Sequence, residues 1–176
     1  MKNLYLLLVV IITAVFISCD NEDTEDILQE NVSIIGNWEM TSIEITDGTS
    51  TTEFFGEAIT LDYTTVGKDI DYTVTFSENP NVLTGEGGYT AVVSTTYAGQ
   101  TETQEETISD FMNSGAWRKE GNILYTTTEE VESPSTIKEL TENTMTVESI
   151  INQVIVDPDF GLNTTVTGTL TYTLER

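Results

Sequence analysis

The chain has 176 residues, with 6 Lys+Arg against 30 Asp+Glu and no histidine, for a formal net charge of −24. That charge repels phosphate backbones, so nucleic acid is excluded as a partner, and it disfavours electrostatic docking on anionic lipid. Without an imidazole, Ser-His-Asp chemistry and a zinc centre both lack parts, and we expect no metal site and no cofactor.

Met1, Lys2 and Asn3 precede an apolar run over residues 4–17. A short positive start followed by such a run has the form of a secretory signal. A membrane-crossing helix needs roughly 17–25 apolar residues, which is more than this run supplies. The run ends in Ser18 and Cys19, and Phe16-Ile17-Ser18-Cys19 resembles the lipobox of bacterial lipoproteins, with Ile17 where leucine is usual. That resemblance implies that residues 1–18 are cleaved away and that the Cys19 thiol carries lipid. The plainer reading of Cys19 is a buried apolar thiol. It is the only cysteine, so no internal disulfide can form and the domain must be held by packing. Each buried acyl CH₂ contributes about 0.8 kcal/mol, so two or three chains would hold the protein on a membrane essentially permanently.

Residues 19–32 open with Asp20-Asn21-Glu22-Asp23-Thr24-Glu25-Asp26, a solvated, extended tether. This tract resembles the acidic export signal of surface-exposed lipoproteins, which implies an outer-membrane location facing outward. The alternative faces the periplasm, because in other bacteria an Asp directly after the lipidated Cys marks retention at the inner membrane. Loss of residues 1–18 removes Lys2 and no acid, so the mature charge is −25.

The remaining segment, 33–176, is one domain's worth of chain. Threonine mixed with Val, Ile, Tyr and Phe is strand composition. Helical spacing occurs briefly, at 24–30 and 108–112. Period-two alternation is clear in Ile70-Asp71-Tyr72-Thr73-Val74-Thr75-Phe76 and in Val166, Gly168, Leu170, Tyr172 and Leu174 against intervening threonines. It recurs in Ile59, Leu61 and Tyr63, and in Ala91, Val93 and Tyr97. Turn signals at Asp47-Gly48, Asn79-Pro80, Gly85-Glu86-Gly87-Gly88, Ala98-Gly99, Gly121-Asn122, Ser133-Pro134 and Asp157-Pro158-Asp159 separate the runs. We therefore expect about eight to ten strands, near 37–46, 57–64, 70–77, 88–98, 101–108, 115–119, 122–129, 134–140, 143–156 and 164–175. The fold class is all-β and antiparallel, as a barrel or a β-sandwich.

Particular landmarks favour a barrel. Ile34-Ile35-Gly36-Asn37-Trp38 looks like the Gly-x-Trp start of the first lipocalin strand. Gly115-Ala116-Trp117-Arg118-Lys119-Glu120-Gly121-Asn122-Ile123-Leu124-Tyr125 resembles the central hairpin of lipocalin-like domains in bacterial lipoproteins. Ile137-Lys138-Glu139-Leu140-Thr141-Glu142-Asn143-Thr144-Met145-Thr146-Val147 resembles a later hairpin of those domains, with Met145 in place of leucine. The closing Tyr172-Thr173-Leu174-Glu175-Arg176 is similar to their last strand. The resemblance, over 34–176, implies an up-and-down barrel of about eight strands. In it Gly36 turns the chain tightly into the barrel, Trp38 plugs the closed end and Arg176 stacks on its indole. The other short motifs of secreted lipocalins and their disulfide are missing, so no ligand is carried over.

Such a barrel is filled by side chains or holds one small ligand. Tyr63, Tyr72, Phe76, Tyr97, Trp117, Tyr125 and Tyr172 are the inward candidates. Aromatics with a polar tip suit an apolar ligand carrying an oxygen or two; alternatively they fill the core completely. Asp157-Pro158-Asp159 lacks the spaced acids of a calcium loop and reads as a turn. Glu102, Glu105, Glu106 and Asp110 read as a solvated edge. The expectation is a non-enzymatic, lipid-anchored envelope protein, membrane-bound through Cys19, that binds or carries a small apolar molecule. The alternatives are a non-catalytic interaction subunit of a cell-surface complex and, third, a carbohydrate hydrolase, for which no acid pair stands out.

Overall fold

The computed structural model describes residues 27–28, 32–109, 111–112, 114–128, 130–156 and 162–176. Residues 1–18, Cys19, Asp110 and Asp157-Pro158-Asp159 lie outside the described residues. The elements in chain order are β1 (Ile27–Leu28), β2 (Gly36–Phe54), β3 (Glu57–Ser77), β4 (Val82–Tyr97), β5 (Gln100–Ile108), β6 (Gly115–Glu120), β7 (Ile123–Thr128), β8 (Val131–Leu140), β9 (Thr144–Val156) and β10 (Asn163–Glu175). Nine antiparallel strands form one sheet, eight of them closing in a ring, and β1 adds to β8 in parallel. The fold is all-β and barrel-like.

The ring is uneven because its strands differ in length. β2 and β3 run for 19 and 21 residues, whereas β6 and β7 have only 6 each. β4 joins β6 through two residue pairs, Val82 with Ala116 and Leu83 with Gly115. Higher up, β4 turns to β5 instead, pairing from Tyr89–Ile108 to Tyr97–Gln100. The β8–β9 ladder likewise stops at Thr136 and Glu148, while β9 continues to Val156 on β10. One half is thus a closed barrel and the other an open flare of β5, β4, β3, β2, β10 and β9.

The closed half holds the core. Trp38, Val74, Phe76, Leu124, Ile137, Leu140, Met145, Val147 and Leu174 are fully buried, all on the inward positions of alternating strands. The alternation through 70–76 and 166–174 therefore corresponds to real faces, with Tyr72, Val74, Phe76, Tyr172 and Leu174 inside. In the flare the threonines of neighbouring strands join across the sheet, as in the 2.7 Å hydroxyl contacts Thr49–Thr167 and Thr52–Thr164.

Several turn signals prove to be irregularities within long strands. Asp47-Gly48 is not a hairpin. Asp47 has φ 50° and the β2–β3 register shifts between Ile45 and Gly48, so the chain bulges and continues. The expected strands 57–64 and 70–77 are a single β3, bent at Asp69 (φ 52°), where the pairing with β4 shifts. Residues 85–88 lie inside β4, with Gly87 at φ 109° facing that shift. The helix expected at 108–112 is not formed: Ile108 ends β5, and Ser109, Phe111 and Met112 are bends. A two-residue strand occupies 27–28 where the other helix was expected.

Candidate functional site

The closed end is organised by Trp38 and Arg176. Gly36 enters β2 at φ 126°, a conformation that side chains rarely adopt. Trp38 is fully buried and its indole N–H donates to the Ile34 carbonyl at 2.8 Å. The Arg176 guanidinium carbon lies 4.2 Å from the Trp38 ring centroid. The same guanidinium donates to the carbonyls of Glu142 (2.6 Å), Ile35 (3.1 Å) and Ser33 (3.0 Å).

The flared end of the barrel interior is a cavity of about 260 Å³. Leu83, Phe111, Met112, Leu170 and Tyr172 give it an apolar lining, and Thr126, Thr128, Ser133, Ser135 and Ser149 a hydroxyl lining. It exists because β6, β7 and β8 are too short to cover the inner face of the long strands. The β5–β6 connection dips into the space. Phe111 meets Tyr72, Tyr89 and Tyr172 edge-on, with centroids 6.0, 6.0 and 5.6 Å apart. The Tyr72 hydroxyl accepts from the Met112 N–H at 2.9 Å and donates to its carbonyl at 3.3 Å. Gly85 makes that position possible: a Cβ there would stand 2.0 Å from the Tyr72 hydroxyl oxygen.

Tyr172 is the cavity's distinctive polar group. It is only 4% exposed, and burial pushes its phenol well above the ordinary tyrosine value. Its hydroxyl has no hydrogen-bond partner among the described residues. No side-chain oxygen or nitrogen there is both sealed from solvent and unpartnered, so this hydroxyl keeps access to the cavity. No charged side chain lines the space.

The seven aromatic candidates separate. Tyr172 lines the cavity, and Tyr72 braces it from behind. Phe76 and Trp117 pack at 5.6 Å in the closed half, and the Trp117 indole N–H donates to the Ser77 carbonyl at 2.8 Å. Tyr63 stands apart, on Gly48, with its hydroxyl donating to the Thr167 carbonyl at 3.1 Å. Tyr97 is 57% exposed at the tip of the β4–β5 hairpin, beyond the reach of the short strands. Tyr125 alternates with buried Leu124 and so points outward, where Arg118 lies 3.5 Å over its ring. The aromatic pattern missed Phe111 and Met112, which lie in a bend, and the Ser and Thr hydroxyls, which look alike on both faces of a strand.

Two other hollows are larger. One of about 520 Å³ involves Asp47, Asp62, Tyr63 and Thr101, across β2, β3 and β5. Another, of about 390 Å³, lies where β8 and β9 diverge, beside Pro134 and Ile150. Among the described residues no group of three or more His, Cys, Asp or Glu is placed to hold a metal ion, and no helix is long and apolar enough to cross a membrane. Compared with known proteins, the chain matches no family model, no curated protein and no solved structure.

Proposed function

We propose that this protein is a lipid-anchored envelope lipoprotein whose barrel, in the manner of a lipocalin, binds a small, uncharged, mainly apolar ligand in its half-open interior. The observation that carries the reading is the uncharged cavity of mixed apolar and hydroxyl lining, into which the Tyr172 hydroxyl opens without a partner among the described residues. An occupant with an oxygen or nitrogen can pair this hydroxyl in place of water. The volume, about 260 Å³, sits just below the range of roughly 300–1,000 Å³ usual for ligand pockets, which selects small molecules. The lining offers neither a cation for a carboxylate nor an acid for an amine, so the ligand is neutral. The role is binding or carriage, with no catalytic step.

Titration with 2-naphthol, a small fluorescent aromatic with one hydroxyl, tests this. Saturable binding is expected, with loss in Leu170→Trp, which fills the cavity, and no binding of the anionic 2-naphthoate. Absence of saturable binding up to millimolar concentration, or binding unchanged in Leu170→Trp, would overturn it. The anchor is tested separately: radiolabelled palmitate is expected to enter the protein, and Cys19→Ser to abolish the label. Protease treatment of intact cells distinguishes outward from periplasmic facing. The second reading, an interaction subunit of a cell-surface complex, draws on the apolar hairpin tip of β2–β3, where Phe55 is 93% exposed beside Phe54.

A further inference from the structure

The open flare ends in two edge strands of opposite character. β5 presents Glu102, Glu105 and Glu106, all exposed, along its outer side. Charge on an edge is the usual protection against another strand joining it. β9 beyond Glu148 lacks that protection. Residues 149–156 read Ser-Ile-Ile-Asn-Gln-Val-Ile-Val, with no charged side chain, in a chain of which 30 residues are acidic. On one side this segment pairs with β10, from Ser149–Leu170 to Val156–Asn163. On the other, Ser149 still meets Ser135 of β8 through a 2.7 Å hydroxyl contact, and residues 150–156 pair with no strand among the described residues, because the β8–β9 ladder ends at Thr136–Glu148. Ile150 and Val154 are 73% and 60% exposed, and Ile155 and Val156 are exposed as well.

We infer that residues 150–156 of β9 form a self-association edge, at which the same segment of a second copy adds antiparallel and continues the flare. The charge distribution selects this occupant. Two chains of net charge −24 repel wherever their acidic faces meet, and this uncharged edge is a place where they approach without that cost. An added strand must itself be uncharged, apolar and unpaired on one side. β9 of a second copy meets all three conditions. Opposite residues of an antiparallel pair share a face, so a two-fold axis through Gln153 preserves both faces of the sheet. In that register Ile151 opposes Ile155, Asn152 opposes Val154 and Ile150 opposes Val156, and Glu148 is left outside the pairing. The inference stands on the edge alone and is independent of ligand in the cavity.

Site-specific crosslinking tests it on the full chain in dilute detergent micelles. Gln153→Cys, treated with a short bis-maleimide, is expected to give a covalent dimer at micromolar protein. Unsubstituted protein, whose only cysteine is Cys19, and Glu105→Cys on the β5 edge are expected to remain monomeric under the same treatment. Adding Asn152→Glu and Val154→Glu, both exposed and harmless to the core, is expected to reduce the Gln153→Cys dimer at least tenfold, with circular dichroism unchanged. Absence of dimer from Gln153→Cys would overturn the inference, whatever other protein binds the edge. So would an equal yield from Glu105→Cys, or a yield indifferent to the added glutamates.

Discussion

The Arg176 guanidinium carbon stands 4.2 Å from the Trp38 ring centroid, while its N–H groups reach three backbone carbonyls. Those carbonyls belong to Ser33 and Ile35 ahead of β2 and to Glu142 between β8 and β9. One side chain therefore ties the start of the domain to its last strands over the plugged end. Arg176→Ala is expected to destabilise the fold by about 2–3 kcal/mol, from the lost cation–π contact and charged hydrogen bonds after allowance for exposure. Arg176→Lys should recover less than half, because an ammonium cannot serve three divergent acceptors. Chemical denaturation measures both, and a loss below about 0.5 kcal/mol for the alanine variant would reject the clasp.

Gly85 and Tyr72 are coupled in a way that a double-mutant cycle reads directly. Gly85→Ala places a methyl against the Tyr72 hydroxyl and should cost about 1–3 kcal/mol. In a Tyr72→Phe background the nearest obstruction is gone, while the ring carbon Cζ at 2.8 Å and the Met112 carbonyl at 3.0 Å remain, so the same substitution should cost measurably less. Additive effects in denaturation would show that the two do not meet.

Phe111 partly fills the barrel interior, and its removal trades stability for space. Phe111→Ala should destabilise by about 2–4 kcal/mol, somewhat under the full-burial figure. It should also admit neutral ligands larger than 2-naphthol. Calorimetry against a graded series of neutral aromatics checks the shift.

Tyr172→Phe keeps the cavity's shape and deletes its unpaired hydroxyl. Loss of one hydrogen bond, worth about 0.5–1.5 kcal/mol, should weaken 2-naphthol binding by roughly 2- to 12-fold. An aromatic hydrocarbon of the same size, with no oxygen to pair, should bind the variant at least as well. Equal weakening for both ligands would assign Tyr172 a packing role only.

On the outer surface, Arg118 donates to both Glu132 carboxylate oxygens at 2.8 and 2.7 Å, across the β6–β7–β8 strands. The hydrogen bonds from Arg118 hold the Glu132 carboxyl below its ordinary value of 4.5. A depressed folded-state value means that the contribution is complete above about 4.5 and is lost as pH falls through the lower, folded value. Glu132→Gln should thus lower Tm at neutral pH, and its Tm should converge with that of the unsubstituted protein under acid. Parallel curves from pH 7 to pH 2 would remove the ion pair from the account.

The strands that pack the closed half were legible because their alternation is unbroken. Tyr72, Val74 and Phe76, and Tyr172 with Leu174, needed only a period of two to be placed inside. The joins were less legible. Asp47-Gly48 and Gly87 satisfy a positive φ whether the chain reverses or merely bulges, so residue type cannot separate a hairpin from a kink. Five residues at 108–112 are too few to distinguish helical spacing from a bend that turns Phe111 and Met112 inward. Tyr97 and Tyr125 lie away from the cavity for different reasons. Tyr97 follows the inward phase of β4 but stands above the short strands, and Tyr125 is out of phase with Leu124. The cavity itself depends on unequal strand lengths, which are set by where β6, β7 and β8 stop.

The two rungs that join β4 to β6 give the ring a mechanical character. Everywhere else around the circumference, neighbouring strands are fastened by longer ladders, so thermal motion meets least resistance at Val82–Ala116 and Leu83–Gly115. Beyond those rungs the seam is held by Trp117, whose backbone N–H donates to the Asn81 carbonyl at 3.4 Å and whose indole N–H donates to the Ser77 carbonyl at 2.8 Å. Leu83 is also part of the cavity lining, so the thinnest seam of the ring runs beside the cavity, and a single indole secures both.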